Sequence, residues 1–132
     1  MSRKRIILNE QNYLVLKKLV ESFQRGGKAH LPHVARLAAE LKDAVIMDSH
    51  TIPNNVVTMH SRVRYRYVDS ETTHEAVIVF PAEIKESSAH VSILSPFGMA
   101  LIGEREGSEV EYVAPGGTYR VVIERVEHVQ TV

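Results

Sequence analysis

No cysteine occurs in the 132 residues, which excludes disulfides, thiolate nucleophiles and cysteine-based zinc sites. A chain without cysteine also suits a reducing compartment. Tryptophan is missing too, and the aromatics are few, five Tyr and three Phe. No window approaches the roughly 20 apolar residues of a membrane span. The basic start Met1-Ser2-Arg3-Lys4-Arg5 leads into an apolar run of only Ile6-Ile7-Leu8, too short for a signal peptide. A cytoplasmic protein without membrane contact is expected.

Catalytic motifs are missing as well. No G-x-S-x-G elbow or glycine-rich phosphate loop occurs, since Gly26-Gly27 and Gly116-Gly117 are isolated pairs that turns explain. The seven histidines, His30, His33, His50, His60, His74, His90 and His128, form neither H-x-x-x-H nor HExxH. His30 and His33 straddle a proline and lack an evident third ligand. No metal, cofactor or catalytic residue is expected.

What is present points to a small binding module. The apolar fraction of 44% supports a buried core, and the length fits one ordinary domain or a minimal domain with a helical appendage. Net charge is zero, yet residues 1–50 carry nine Lys/Arg against five Asp/Glu, and residues 51–132 carry seven against eleven. Two surfaces of opposite sign are one reading, and ordinary solvated faces the other.

Asn9 is placed to cap a helix over 10–24, with Leu16, Leu19, Val20 and Phe23 as its apolar stripe. Gly26-Gly27 ends it. Pro32 opens a second helix, with Val34, Leu37, Ala38, Leu41 and Val45 continuing the stripe to about residue 47. The two should pack as a short antiparallel hairpin, each helix about 22–24 Å long. Pro53 and its neighbouring asparagines mark a linker, so units of 1–52 and 53–132 are expected.

The period then changes to two. Met59, Val63, Tyr65 and Tyr67 alternate with His60, Arg62, Arg64 and Arg66, the pattern of a half-buried strand. Further strands are expected at 76–80, a central one, and at 90–94, 109–113 and 119–127. Ser95 and Pro96 start a short helix to about residue 102, and Pro115-Gly116-Gly117 supplies the last turn. The order is α+β, a short N-terminal antiparallel helical hairpin followed by a β-sheet domain with one short helix.

Three ordered elements carry a resemblance. Ser95-Pro96-Phe97-Gly98-Met99-Ala100-Leu101-Ile102-Gly103, then Gly107-Ser108-Glu109-Val110, then Ala114-Pro115-Gly116-Gly117, resemble the C-terminal domain of bacterial Gre transcription factors. Leu31-Pro32 and the run from Pro53 to Val63 resemble the Gre-related regulators of nucleoside diphosphate kinase. The resemblance implies an FKBP-like C-terminal domain and RNA polymerase as partner, bound near the secondary channel. Regulation of nucleoside diphosphate kinase is the alternative implied by that second name. No sequence-specific nucleic-acid contact is expected.

Two departures qualify it. Gre factors carry tip carboxylates that help hold a catalytic magnesium in the polymerase. Here the tip, with Lys28, His30 and His33, has no acid and would repel Mg²⁺. Transcript cleavage is therefore not carried over. Leu94 stands where a polar or acidic residue often precedes the Ser-Pro turn.

The expected partner contact is Ser95, Pro96, Phe97 and Gly98, an aromatic beside Pro and Gly at a helix start. Phe97 either joins that contact or turns inward onto Leu101. Arg62, Arg64 and Arg66 share one strand face, set toward an acidic partner or balanced by cross-strand carboxylates such as Glu75. The balanced face is preferred. An FKBP-like prolyl isomerase is disfavoured by the scarce aromatics, with Tyr65 and Tyr67 assigned to the core.

Overall fold

Local chemistry sets most element boundaries in the computed structural model, which describes residues 5–85 and 89–128. A strand β1 (Ile7–Asn9) runs directly into helix α1 (Glu10–Arg25). Asn9 caps that helix, its side-chain oxygen accepting from the Asn12 N–H at 2.7 Å. The helix stops at Gly26, and Gly27 takes φ +75°, a left-handed geometry that costs glycine least. Pro32 then opens α2 (Pro32–Asp43) with no side-chain cap.

The second helix is shorter than the periodicity implies. It ends at Asp43, and residues 45–47 form strand β2 (Val45–Met47), parallel to β1 with Ile7 opposite Val45 and Asn9 opposite Met47. Val45 fits the helical stripe, four residues after Leu41, so local spacing favours helix. A distant partner decides otherwise: the Val45 N–H donates to the Ile6 carbonyl at 2.9 Å. Ile6, Ile7 and Leu8 are all buried, which makes this run the inner strand of a two-stranded clasp beneath the hairpin.

The remaining strands are β3 (Ser61–Tyr67), β4 (His74–Val79), β5 (His90–Ser92), β6 (Glu109–Ala114) and β7 (Gly117–His128). They form one curled sheet in the order β5-β4-β3-β7-β6. All pairs are antiparallel except β4 with β5. β4 lies inside the sheet between β5 and β3, as expected of a central strand, and β3 holds the middle position. A bulge between Arg64 and Tyr65 shifts the β3–β7 register, a device that bends and twists a sheet locally. A short helix, α3 (Pro96–Leu101), packs on β6 and α2.

One apolar cluster unites these parts. Leu16 and Val20 of α1 and Val34, Leu37 and Leu41 of α2 join Val63, Ile78, Leu101, Val110, Val121 and Ile123 in a single core. The expected boundary at 52/53 falls in the loop between β2 and β3, and buried residues from both sides of it meet in that core. Among the described residues no helix is long and apolar enough to cross a membrane.

Candidate functional site

The Ser-Pro segment is built around one carbonyl. The Ser92 oxygen accepts from the Ser95 N–H at 3.0 Å and from the Ser95 hydroxyl at 2.7 Å. The same hydroxyl accepts from the Gly98 N–H at 3.0 Å, which caps α3. Ser95 is thus committed to the turn through both its lone pair and its proton. Pro96 follows at the first helical position and is half-buried.

Gly98, expected in the partner contact, faces the interior. It is buried, and a Cβ built on it would lie 2.2 Å from the Ser92 oxygen. Its missing side chain lets α3 sit against the β5 end. Phe97 is half-buried and turns toward the sheet, with ring centroids 4.9 Å from both Tyr65 and Tyr112. Tyr67 and Tyr119 extend this cluster, and the Tyr67 and Tyr112 hydroxyls are 3.5 Å apart. Burial first, then the Tyr67 hydrogen bond, pushes the Tyr112 phenol well above its ordinary value, so it stays protonated.

The hairpin tip is exposed at Lys28 and His30, whereas His33 is half-buried in the first turn of α2. Burial lowers the His33 pKa. The fold brings His33 beside Pro96: both line a cavity of about 210 Å³ between α2, α3 and β6. Two residues expected in separate surfaces therefore share one. Arg36, Tyr112 and Val113 also line it, and reading the sequence did not single them out. The β6 alternation places Tyr112 on the inner face, but nothing local marks Arg36 beyond Glu40 one turn later, to which it is bonded at 3.0 Å.

Arg62, Arg64 and Arg66 lie elsewhere, on the other face of the sheet. Arg62 and Arg64 reach Glu75 at 3.2 and 3.8 Å, and Arg66 reaches Glu124 at 3.3 Å. Exposed pairs of this kind add ~0–1 kcal/mol each, but they cancel most of the positive field of the row. Among the described residues no three His, Asp or Glu side chains gather as a metal site.

His60 has a different role. It holds φ 70°, unusual for a side chain other than glycine, and its Nε2 bonds Glu83 at 2.9 Å. The Phe80 N–H, also at 2.9 Å, and then His60 hold the Glu83 carboxyl below the usual range. A depressed carboxylate stabilises the fold above its unfolded pKa and loses that contribution as pH falls through the folded value. Glu83→Gln is expected to flatten the acid limb of stability below about pH 4.3. Thermal melts between about pH 7 and pH 3 measure this, and an unchanged slope would remove Glu83 from the account.

Comparison with known proteins places these features. Residues 52–128 match the family described as transcription elongation factor GreA/GreB, C-terminal. The regulator of nucleoside diphosphate kinase of Escherichia coli K12 is 34% identical over 117 residues, covering 89% of this chain and 84% of that protein. A transcription elongation factor GreA of Clostridium botulinum is 36% identical over 90 residues, 68% of this chain and 56% of its own length. A solved GreA/GreB factor from Nitrosomonas europaea superposes with a TM-score of 0.76 at 34% identity, covering 96% of this chain and all of that one. Having the family's match across most of its sheet and a solved relative that spans both hairpin and sheet, the chain belongs to the GreA/GreB transcription elongation factor family.

Proposed function

We propose that the protein is a non-catalytic transcription regulator that binds RNA polymerase near its secondary channel. The observation that carries the reading is the Ser95–Pro96 turn: a preorganised helix start whose cap is satisfied internally, with the half-buried Pro96 ring left in part to solvent. Preorganisation lowers the ordering cost of binding. The hairpin would sit at the channel mouth and crowd longer relatives. Its helices of 16 and 12 residues are only about 24 and 18 Å long. The tip between them offers no carboxylate to a magnesium ion, which supports the absence of transcript cleavage.

Pro96→Asp is the informative variant. Ser95 substitutions remove a cap and weaken the helix itself, but Asp is well tolerated in a first helical turn. Polymerase retention by the wild type and a loss of about tenfold or more in Pro96→Asp are expected in a binding assay. No retention by the wild type would sink the polymerase reading. Release of short 3′ RNA from stalled complexes on adding the protein would overturn the non-catalytic part.

The name of the Escherichia coli relative favours a second reading, regulation of nucleoside diphosphate kinase through a protein contact. A change in the rate of purified kinase on adding this protein would support it directly. The FKBP-like description of the sheet does not bring prolyl isomerase activity with it. Five of the eight aromatics pack on one another at 4.9–6.2 Å, which supports a core role for them.

A further inference from the structure

Strand β5 is three residues long and stands at the edge of the sheet, paired with β4 alone. The ladder enters it at Ala89, whose carbonyl accepts from the Val77 N–H at 2.8 Å. It leaves at Ile93, whose N–H donates to the Val79 carbonyl at 2.9 Å. Between them lies Ser92, whose carbonyl is the one on which the Ser-Pro turn is built. So short a ladder gives the strand few bonds of its own, and contacts beside it bear on how firmly that carbonyl is held.

One such contact is the half-buried His90 ring. Its Nδ1 stands 3.1 Å from the Lys85 amide nitrogen, whose N–H is aimed at it, and 3.1 Å from the Glu83 carbonyl oxygen. The first group is a donor and the second an acceptor, so one nitrogen cannot satisfy both. A bare Nδ1 accepts from Lys85 and turns a lone pair to the Glu83 carbonyl. A protonated Nδ1 donates to Glu83 and has no lone pair left for Lys85. The neutral ring can keep its proton on Nε2, but the charged ring carries one on each nitrogen. The charge on His90 thus selects between two partners at equal distance.

Glu83 is held at its other end by a second histidine. His60 Nε2 lies 2.9 Å from both carboxylate oxygens, and the Phe80 N–H donates to one of them at 2.9 Å. Those bonds keep the Glu83 carbonyl in place while His90 changes charge. The charged groups around the ring are Glu83 and His60, bonded to each other, and Lys85 on the connection itself. Val77 is the register partner of His90 on β4, and Glu75, two residues before it, is taken up by Arg62 and Arg64.

We propose that His90 is a pH-operated contact. Neutral, it accepts from the Lys85 N–H; charged, it transfers to the Glu83 carbonyl, and the change passes along β5 to the Ser92 carbonyl beneath the Ser-Pro turn. Histidine ordinarily changes charge between about pH 5 and pH 8, and acidification through that range operates the contact. Glu83 stays ionised there, its carboxyl being held below the usual range by Phe80 and His60. The inference concerns the unbound protein and stands whether or not polymerase is the partner.

NMR titration of the full chain from about pH 8 to about pH 5 tests this, following the imidazole nitrogens and the backbone amides. At the upper limit His90 should carry its proton on Nε2. On acidification the Lys85 and Ser95 amide shifts should move with the same midpoint as His90. His90→Phe is expected to abolish both amide curves. His60→Asn, which suits the positive φ at that position, is expected to leave them in place. If His90→Phe does not fold, the wild-type midpoints and the ring tautomer carry the test. A neutral His90 with its proton on Nδ1 overturns the proposal, as do curves kept in His90→Phe and lost in His60→Asn. A Ser95 amide that stays flat while Lys85 titrates overturns the transmission to the turn.

Discussion

Gly98→Ala is expected to destabilise the protein by about 3 kcal/mol, at the upper end of what overpacking a core costs. The added Cβ would lie 2.2 Å from the Ser92 oxygen, 3.0 Å from its carbonyl carbon and 3.1 Å from the Ile93 Cα. All three are backbone atoms, so no side chain can swing aside to make room. The Ser92 oxygen is itself fixed by two donors from Ser95. Relief requires lifting α3 away from the β5 end, and Met99, Ala100 and Leu101 are buried on that helix. Denaturant unfolding measures the loss, with the midpoint expected to fall and the slope to stay constant. A loss below about 1 kcal/mol would mean that the helix has room the geometry denies it.

Gly103→Ala is expected to cost a similar amount, about 3 kcal/mol, by adding two smaller penalties. Gly103 holds φ +79°, which costs an alanine roughly 1–2 kcal/mol. Its new Cβ would also stand 2.7 Å from the Ile6 Cβ and 3.2 Å from the Ile7 oxygen, a clash worth ~1–3 kcal/mol. The residue is a junction: its carbonyl accepts from the Ile7 N–H at 3.0 Å, and its own N–H donates to Val57 at 2.9 Å. Amide exchange at Ile7 should therefore accelerate beyond the global change. The double variant Ile6→Gly with Gly103→Ala separates the two penalties, because only glycine at position 6 removes the Cβ that the new one meets at 2.7 Å. Strict additivity of the single effects would leave backbone strain as the sole cause.

Much of this architecture is legible in the amino acids. Asn9, Gly26-Gly27, Pro32 and Ser95 each act within a few residues of their own position, so capping rules locate the helices. Strand β3 is marked by its alternation, and β6 and β7 by the Pro115-Gly116 turn between them. The clasp β1–β2 is not legible, because its pairing joins residues 7–9 to 45–47 across the whole hairpin. Its three-residue strands are too short to show a period, and Val45 imitates the helical one. At the candidate site, the Ser95 cap follows from local spacing, whereas the burial of Gly98 depends on where the Ser92 carbonyl arrives. Nothing local reports that His33 and Pro96 share a cavity. That adjacency comes from docking α2 on α3, which is a property of the core.

The clasp also fixes how the hairpin responds to force. Both of its ends enter one short ladder, β1 is tied to Gly103, and α2 rests on α3. An arm anchored at three separate points behaves as a cantilever, where a single linker would have made a swivel. The tip thus stands at a set offset from Pro96, held by the packing of α2 on α3. A push on the tip is resisted at the root, where Ile6, Leu8 and Gly103 meet.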